Sequence, residues 1–347
     1  MVEPLIKVED LTVEYRTDEG SVTAVSDASF SIEPGEYFGL VGESGCGKST
    51  IAEALMLALD DNGSITSGRV RYRGKEIQDY TQKEMNEEIR WAEISLIPQS
   101  SMNSLDPLQR IVDQAVEIAR THTEMPRDAV VDRLGTLFDV MGLPESRVTD
   151  YPHQFSGGMQ QRAIIALSLL LDPSLIIADE PTTALDVIMQ DQIFKHLEDI
   201  GVRTDTSLLL ITHDISLVFE SCDRMAVMHA GQVAEVGPVT DIYDRPRHPY
   251  SIQLQQAFPD IRHPNRELSV IEGAPPQNRG QVDYCTFCDR CPWAIDECRS
   301  GAPALEAPEG SETEDDNHVV ACIRRDEIPE LLAEADAPVP DGGDVDD

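Results

Sequence analysis

Apolar and polar positions alternate through residues 5–15 (LIKVEDLTVEY) and again through 22–32 (VTAVSDASFSI), so the chain is read as opening with strands. A turn at Pro34-Gly35 leads into a third strand, EYFGLVG. The period then changes. Ile51, Leu55 and Leu59 share one helical face, which predicts a helix from Ser49 to about Leu59, ended by Asp60-Asp61-Asn62-Gly63. Residues 83–147 read as mostly helical, with loops at 103–107 and 141–144. From 156 to 251 helices alternate with short apolar runs at 175–178 and 208–212, the pattern of central parallel strands. Beyond Pro259 prolines, cysteines and short polar segments take over, and the acidic end from about Asp336 is expected to be disordered. No internal repeat is visible.

Charge narrows the function. Among 347 residues, 64 acidic side chains face 27 basic ones, a formal charge of −37. Nucleic-acid affinity is carried largely by Lys and Arg on phosphates, so DNA and RNA are excluded as main partners. Such a surface repels itself at low salt, whereas at molar salt the screening length falls to about 3 Å. A salt-accumulating, halophilic cell is therefore the expected source. No run approaches the roughly 18–20 apolar residues that span a bilayer, and MVEPLIKVED lacks a signal-peptide pattern. The expected place is the cytoplasmic side of the cell.

The chemistry starts at Gly42-Glu43-Ser44-Gly45-Cys46-Gly47-Lys48-Ser49, which fits GxxxxGK(S/T) between a predicted strand and helix. Glycines let successive N–H groups curl around nucleotide phosphates, and the helix N-terminus adds positive potential. Lys48 is expected on the β/γ-phosphates and Ser49 on Mg²⁺. The run 175–180 (LIIADE) is an apolar strand ending in two carboxylates: Asp179 suits Mg²⁺, and Glu180 suits the attacking water. A second helix N-terminus, Ser156-Gly157-Gly158-Met159-Gln160, offers another anion cradle. One nucleotide has little use for two cradles unless a second copy presents the other.

At this point the sequence resembles the ABC-transporter ATPase family. The resemblance implies that residues 42–50, including Thr50, bind ATP, and that Ser156, Gly157, Gly158 and Gln160 close over the partner subunit's nucleotide. It implies that Gln99 is the Q-loop residue on Mg²⁺ and water, Asp186 the D-loop residue at the dimer interface, His213 the switch on the γ-phosphate, and Tyr15 the aromatic that stacks on adenine. Catalysis then falls to Glu180, His213, Lys48 and Gln99, and Mg²⁺ to Ser49, Gln99 and Asp179. With GESGCGKS, SGGMQQR, ADEPTTALDV, RPRHPYS and a cysteine-bearing tail, the likeness extends to ATPase subunits of oligopeptide/dipeptide importers, over roughly residues 4–325. Nickel and oligosaccharide importers use similar ATPases.

Five of the seven cysteines lie between Cys285 and Cys322. Thiolates at such spacing favour an Fe–S cluster or zinc. The family pattern, which holds a 4Fe–4S cluster, maps onto Cys285, Cys291, Cys298 and Cys322, with zinc, free thiols or a redox-dependent disulfide as alternatives. Cys288 departs from it. Cys46 reads as filler in the phosphate loop and Cys222 as packing.

The expected architecture is an α/β P-loop cassette over 1–260, with a mixed central sheet, an antiparallel β-subdomain and a helical subdomain at about 100–165. A cysteine-rich extension over 261–335 and an acidic tail over 336–347 follow. The expected partners are a second ABC ATPase (heterodimer over homodimer), two transmembrane permeases and, indirectly, an extracytoplasmic substrate-binding protein, placing the chain on the cytoplasmic face of the membrane. Arg110 and its surroundings are an open suggestion for permease contact. The rival is a soluble ABC ATPase acting on DNA ends or ribosomes. Against it stand the charge, the single cassette and the lack of sustained heptads between Ser49 and Ser156.

Overall fold

The computed structural model describes residues 3–99, 104–182, 189–190, 193–195, 197, 201, 205–258, 269–274, 276, 282–310 and 318–335. Two sheets organise them. β1 (Ile6–Thr17), β2 (Gly20–Ile32), β4 (Gly63–Tyr72) and β5 (Lys75–Glu76) form an antiparallel sheet in the order β2-β1-β4-β5. The larger sheet has the order β11-β10-β9-β3-β8-β7-β6. Its strands are β3 (Tyr37–Val41), β6 (Ile94–Ile97), β7 (Leu175–Asp179), β8 (Ser207–Thr212), β9 (Arg224–His229), β10 (Gln232–Pro238) and β11 (Val319–Val320). Neighbours from β6 to β9 run parallel, and β10 and β11 add antiparallel strands.

Every residue of β7 and β8 is buried, which is why these strands read as continuous apolar runs. One face packs on helices Ile111–His122, Arg127–Val140 and Gly157–Ser168, through Ile97, Phe138, Ile165 and Leu210. The other faces the antiparallel sheet and helix Lys48–Leu55, through Ile6, Phe38, Ile51 and Ile177. Phe30 stacks on Phe38 with ring centroids 5.3 Å apart.

Two expectations need correction. The first helix ends at Leu55, so Leu59 is not on its face. Ala58 N–H bonds Glu53 O at 2.8 Å and Leu57 N–H bonds Ala54 O at 3.1 Å, with Leu57 at φ 45°. That is a Schellman stop made by leucine where glycine is usual, so no sequence signal marks it. Within 83–147, the helical reading missed β6, a four-residue strand on β7 that carries the chain to Gln99.

β11 was not anticipated either. It pairs Val320 with Glu235 and Val319 with Val236, tying the C-terminal region to the main sheet. His318 Nε2 lies 2.7 Å from Glu235 Oε1, and the same fully buried carboxylate accepts N–H bonds from Arg247 and His248. Nearby, His229 is 1% exposed and packs its ring on Tyr250 and Phe287. Nδ1–H faces the Thr286 hydroxyl at 2.9 Å, while Nε2 accepts from Arg290 at 3.1 Å. Burial first, then the Arg290 charge, push its pKa down to about 3.

A histidine held neutral in the fold stabilises it fully above its unfolded pKa of about 6.5, and that contribution is lost as pH falls toward 3. Between pH 7 and 5 the unfolding free energy of the wild type should drop about 2 kcal/mol more than that of His229→Gln, which keeps a donor and an acceptor. Denaturant titrations at the two pH values check this; equal losses in the two proteins would refute it.

Candidate nucleotide site

The carboxyl ends of parallel β3, β8, β7 and β6 lie along one edge, where the chain leaves each strand for a candidate residue. After β3 comes loop 42–47. Gly47 has φ 103°, and a Cβ there would stand 2.3 Å from Ala24 O; one on Gly42 would stand 2.1 Å from Met228 O. Glycine is required at both. Lys48 is buried and its Nζ donates to Gly42 O at 2.8 Å and Glu43 O at 3.0 Å, drawing the ammonium into the loop. Cys46 is buried and burial pushes its thiol up, so it serves the loop as packing.

β7 ends at Asp179 and is followed by Glu180, both buried. Burial raises the Asp179 pKa against the opposing pull of the Ser49 hydroxyl, and the Glu180 charge raises it further. Asp179 Oδ1 is buried without a hydrogen-bond partner. An orphaned carboxylate oxygen beside the Ser49 hydroxyl is a donor set that fits Mg²⁺, a hard cation that takes oxygen ligands. Glu180 stands at φ 50°, a left-handed conformation that costs a non-glycine residue about 1–3 kcal/mol. Its N–H bonds Ile211 O at 2.8 Å, and its Oε1 accepts from His213 N at 3.0 Å and lies 2.6 Å from His213 Nδ1. The carboxylate thus orients the exposed imidazole through Nδ1. Gln99, two residues past β6, is exposed at the same edge.

Tyr15 is half-buried, with its hydroxyl donating to Glu53 at 2.9 Å and its side chain near Thr50. Beside the phosphate loop opens a cavity of about 590 Å³, walled by Val22, Thr23, Ser44, Gly45, Ala274 and Pro276. Tyr15 is not among the residues lining it. Ser156 caps helix Gly157–Ser168 from an exposed position without a side-chain cap bond. Gly157, Gly158 and Gln160 follow, and Gln160 Nε2 is tied to Pro152 O at 2.8 Å. Asp186, with the rest of the D-loop motif, lies outside the described residues, as does the 336–347 tail.

Comparison with known proteins agrees with this geometry. Residues 25–183 match the family described as ABC transporter, and 234–298 match the oligopeptide/dipeptide transporter C-terminal region. The chain is 42% identical over 305 residues to the oligopeptide transport ATP-binding protein OppD of Salmonella typhimurium, covering 87% of this chain and 90% of that one. It is 39% identical over 332 residues to the dipeptide transport ATP-binding protein DppD of Bacillus subtilis, covering 95% and 97%. The chain belongs to the ATP-binding subunits of oligopeptide/dipeptide ABC transporters. A solved ATP-binding cassette, dimeric in a post-hydrolysis state with ADP and Pi, superposes with TM-score 0.60 at 26% identity, over 67% of this chain and 98% of its own.

In this ABC ATPase the C-terminal region is built onto the cassette. Cys285, Cys288, Cys291, Cys298 and Cys322 line one small, mainly apolar cavity with His248. Burial pushes the thiols of Cys291 and Cys322 up to about 11 and that of Cys285 up to about 12. Among the described residues no group of three or more His, Cys, Asp or Glu is close enough to grip a single metal ion. Cys222 is half-buried against the helical core.

Sequence reasoning missed Arg290. Its Nη1 lies 2.6 Å from Glu43 Oε2 and its Nη2 2.8 Å from Glu43 Oε1, a bidentate pair from the tail to the phosphate loop. Nor did it find Tyr250, whose hydroxyl accepts the Glu43 N–H at 3.0 Å. For Arg290 the only local signal was a basic residue between two cysteines, and for Tyr250 its place in RPRHPYS, with nothing in either to name a partner.

Glu180→Gln keeps the size and one acceptor but cannot take up a proton. Turnover should fall at least about a hundredfold while ATP still binds. Single-turnover hydrolysis alongside nucleotide binding tests this, and near-wild-type hydrolysis would remove Glu180 from the catalytic role.

Proposed function

We propose that this chain binds and hydrolyses Mg·ATP at a sandwich interface with a second ABC ATPase, a different subunit in preference to a copy of itself. The ATPase powers uptake of oligopeptides or dipeptides through two separate permeases served by a substrate-binding protein. The observation that carries the reading is the shared strand edge that gathers Lys48, Ser49, Asp179 with its orphaned oxygen, and the Glu180–His213 pair. Lys48 and the loop N–H groups bind phosphate; Ser49, Asp179 and Gln99 would hold Mg²⁺. Mg²⁺ when bound neutralises charge on the transferred phosphoryl group. Glu180 orients water and takes its proton, and His213 meets the γ-phosphate. Ser156, Gly157, Gly158 and Gln160 face the partner's nucleotide, Asp186 crosses the interface, and Tyr15 holds the adenine.

Peripheral attachment to the cytoplasmic face of the membrane follows from the family, and no helix among the described residues is long and apolar enough to cross it. A groove of about 380 Å³ lined by Trp91, Leu96, Pro98, Leu105, Gln114 and Ile164 adjoins Gln99 and suits a permease segment. Leu108, 85% exposed, lies nearby in sequence and adds apolar surface. The organisation we infer is a cassette over 1–260 with a helical part at about 100–165, an extension over 261–335 and an acidic tail.

Within the extension, Cys285, Cys291, Cys298 and Cys322 would hold a 4Fe–4S cluster. This assignment rests on the family's cysteine pattern, with zinc as the alternative; among the described residues no group of three or more His, Cys, Asp or Glu is placed to hold a metal ion. An apolar pocket of thiols supplies the right donors.

Tagged Glu180→Gln chain, purified anaerobically from membranes with detergent, ATP and molar KCl, should bring down two multi-span permeases, a second cassette and a peptide-binding protein, with iron and labile sulfide present. Recovery alone or with ribosomes would overturn the transport reading, and absence of iron and sulfide would remove the cluster. The charge of −37 also supports a halophilic source. Melting temperature should rise between 0.1 M and 2 M KCl as repulsion is screened, and an unchanged value would refute that.

A further inference from the structure

We propose that Arg290 is a positioning residue for the ATP-binding loop: carried by the cysteine-bearing segment, it fixes and neutralises Glu43 and thereby sets the affinity for ATP. This rests on the reading of residues 42–49 as the phosphate-binding loop. The Arg290 side chain is only 6% exposed, and its donors are spent on three distant parts of the chain. Nη1 and Nη2 take the two oxygens of Glu43, Nη1 also meets His229 Nε2 at 3.1 Å, and Nε donates to Glu272 O at 2.9 Å. The last bond holds the segment that leads to Ala274 and Pro276, which wall the cavity beside Ser44 and Gly45.

Glu43 is gripped from every side. Its N–H is spent on Tyr250, its carbonyl on Lys48 Nζ and its carboxylate on Arg290. The loop has to receive a polyanion, and a carboxylate at its second position works against that. A bidentate guanidinium cancels the charge and fixes the side chain in one place, which a point-charge ammonium would do less well. His229 cannot supply the cation, since it accepts from Arg290 and is held neutral. The arginine therefore does two things a mere fastening would not. It lowers the repulsion felt by incoming phosphate, and it fixes the carbonyl on which Lys48 rests.

The test measures ATP affinity of the full chain and the split between KM and kcat after it is assembled with the second cassette and the permeases. Wild-type Mg·ATP binding is measured first; its absence would overturn the loop reading and this proposal together. Arg290→Ala should weaken ATP binding and raise KM about tenfold while kcat at saturation stays within about twofold, because the Glu180–His213 pair is untouched. Arg290→Lys, which keeps the charge without the fork, should raise KM about threefold. Adding Glu43→Gln to Arg290→Ala removes the uncompensated acid and should recover most of the lost affinity. A KM within twofold of wild type in Arg290→Ala, or a double variant no better than the single one, would overturn the proposal while leaving the ATPase reading intact. If Arg290→Ala does not fold, an unchanged KM in Arg290→Lys overturns it instead.

Discussion

The carboxylate of Asp179 sits at the end of a strand with both faces covered, and one of its oxygens has no partner. Leaving such a group buried is costly, and its raised pKa records the cost. Much of the architecture serves to hold that charge where it is. Parallel strands need cover on both faces, which the helical layer and the antiparallel sheet supply. Those same parallel strands bring their carboxyl ends to one edge. The phosphate loop, two acids, a histidine and a glutamine therefore meet there although they are far apart in sequence. Glu180 in a left-handed conformation is a second cost at the same edge, met by the Ile211 carbonyl and the His213 N–H.

The C-terminal region is fastened to this arrangement by one short strand and a few polar contacts. Val319 and Val320 pair with β10, but two strand residues bury little surface. The other ties are polar and largely buried. Glu235 collects His318 and two backbone N–H groups, and Arg290 closes on Glu43. Removing one member of such a contact leaves a polar group without its partner, so these contacts specify where the C-terminal region sits more than they add stability. The cysteine cavity and the phosphate loop thus share a segment, since Arg290 adjoins Cys291 in sequence.

The cassette was legible because its chemistry is written in contiguous motifs: a glycine loop before a helix, a buried strand before two acids, a serine before a second helix. The central strands 175–178 and 208–212 were legible because full burial erases polar alternation. What was missed has physical reasons too. The stop at Leu57 uses hydrogen bonds that glycine usually marks, and here leucine takes the strained position. β6 is four residues inside a stretch whose flanks are turns and helices, so its apolar run carried no period. β11 is two residues, and Arg290 pairs with a residue some 247 positions away, beyond any local pattern.

Ser156 bears on the proposed partner site. A helix cap of this kind ordinarily spends its hydroxyl on an N–H of the first turn, yet here the side chain makes no such bond and stands exposed. The apolar body of the same helix is buried, so the exposed end is held rigidly by its own core. On the proposed reading the hydroxyl and the free N–H groups of the first turn are kept for phosphate oxygens arriving from outside, and those belong to a nucleotide seated on another subunit. The chain then carries two complementary halves of different sites. On that reading the acids at the strand edge would act on its own ATP and the serine-capped helix would complete its partner's, so hydrolysis would need both subunits loaded and closed.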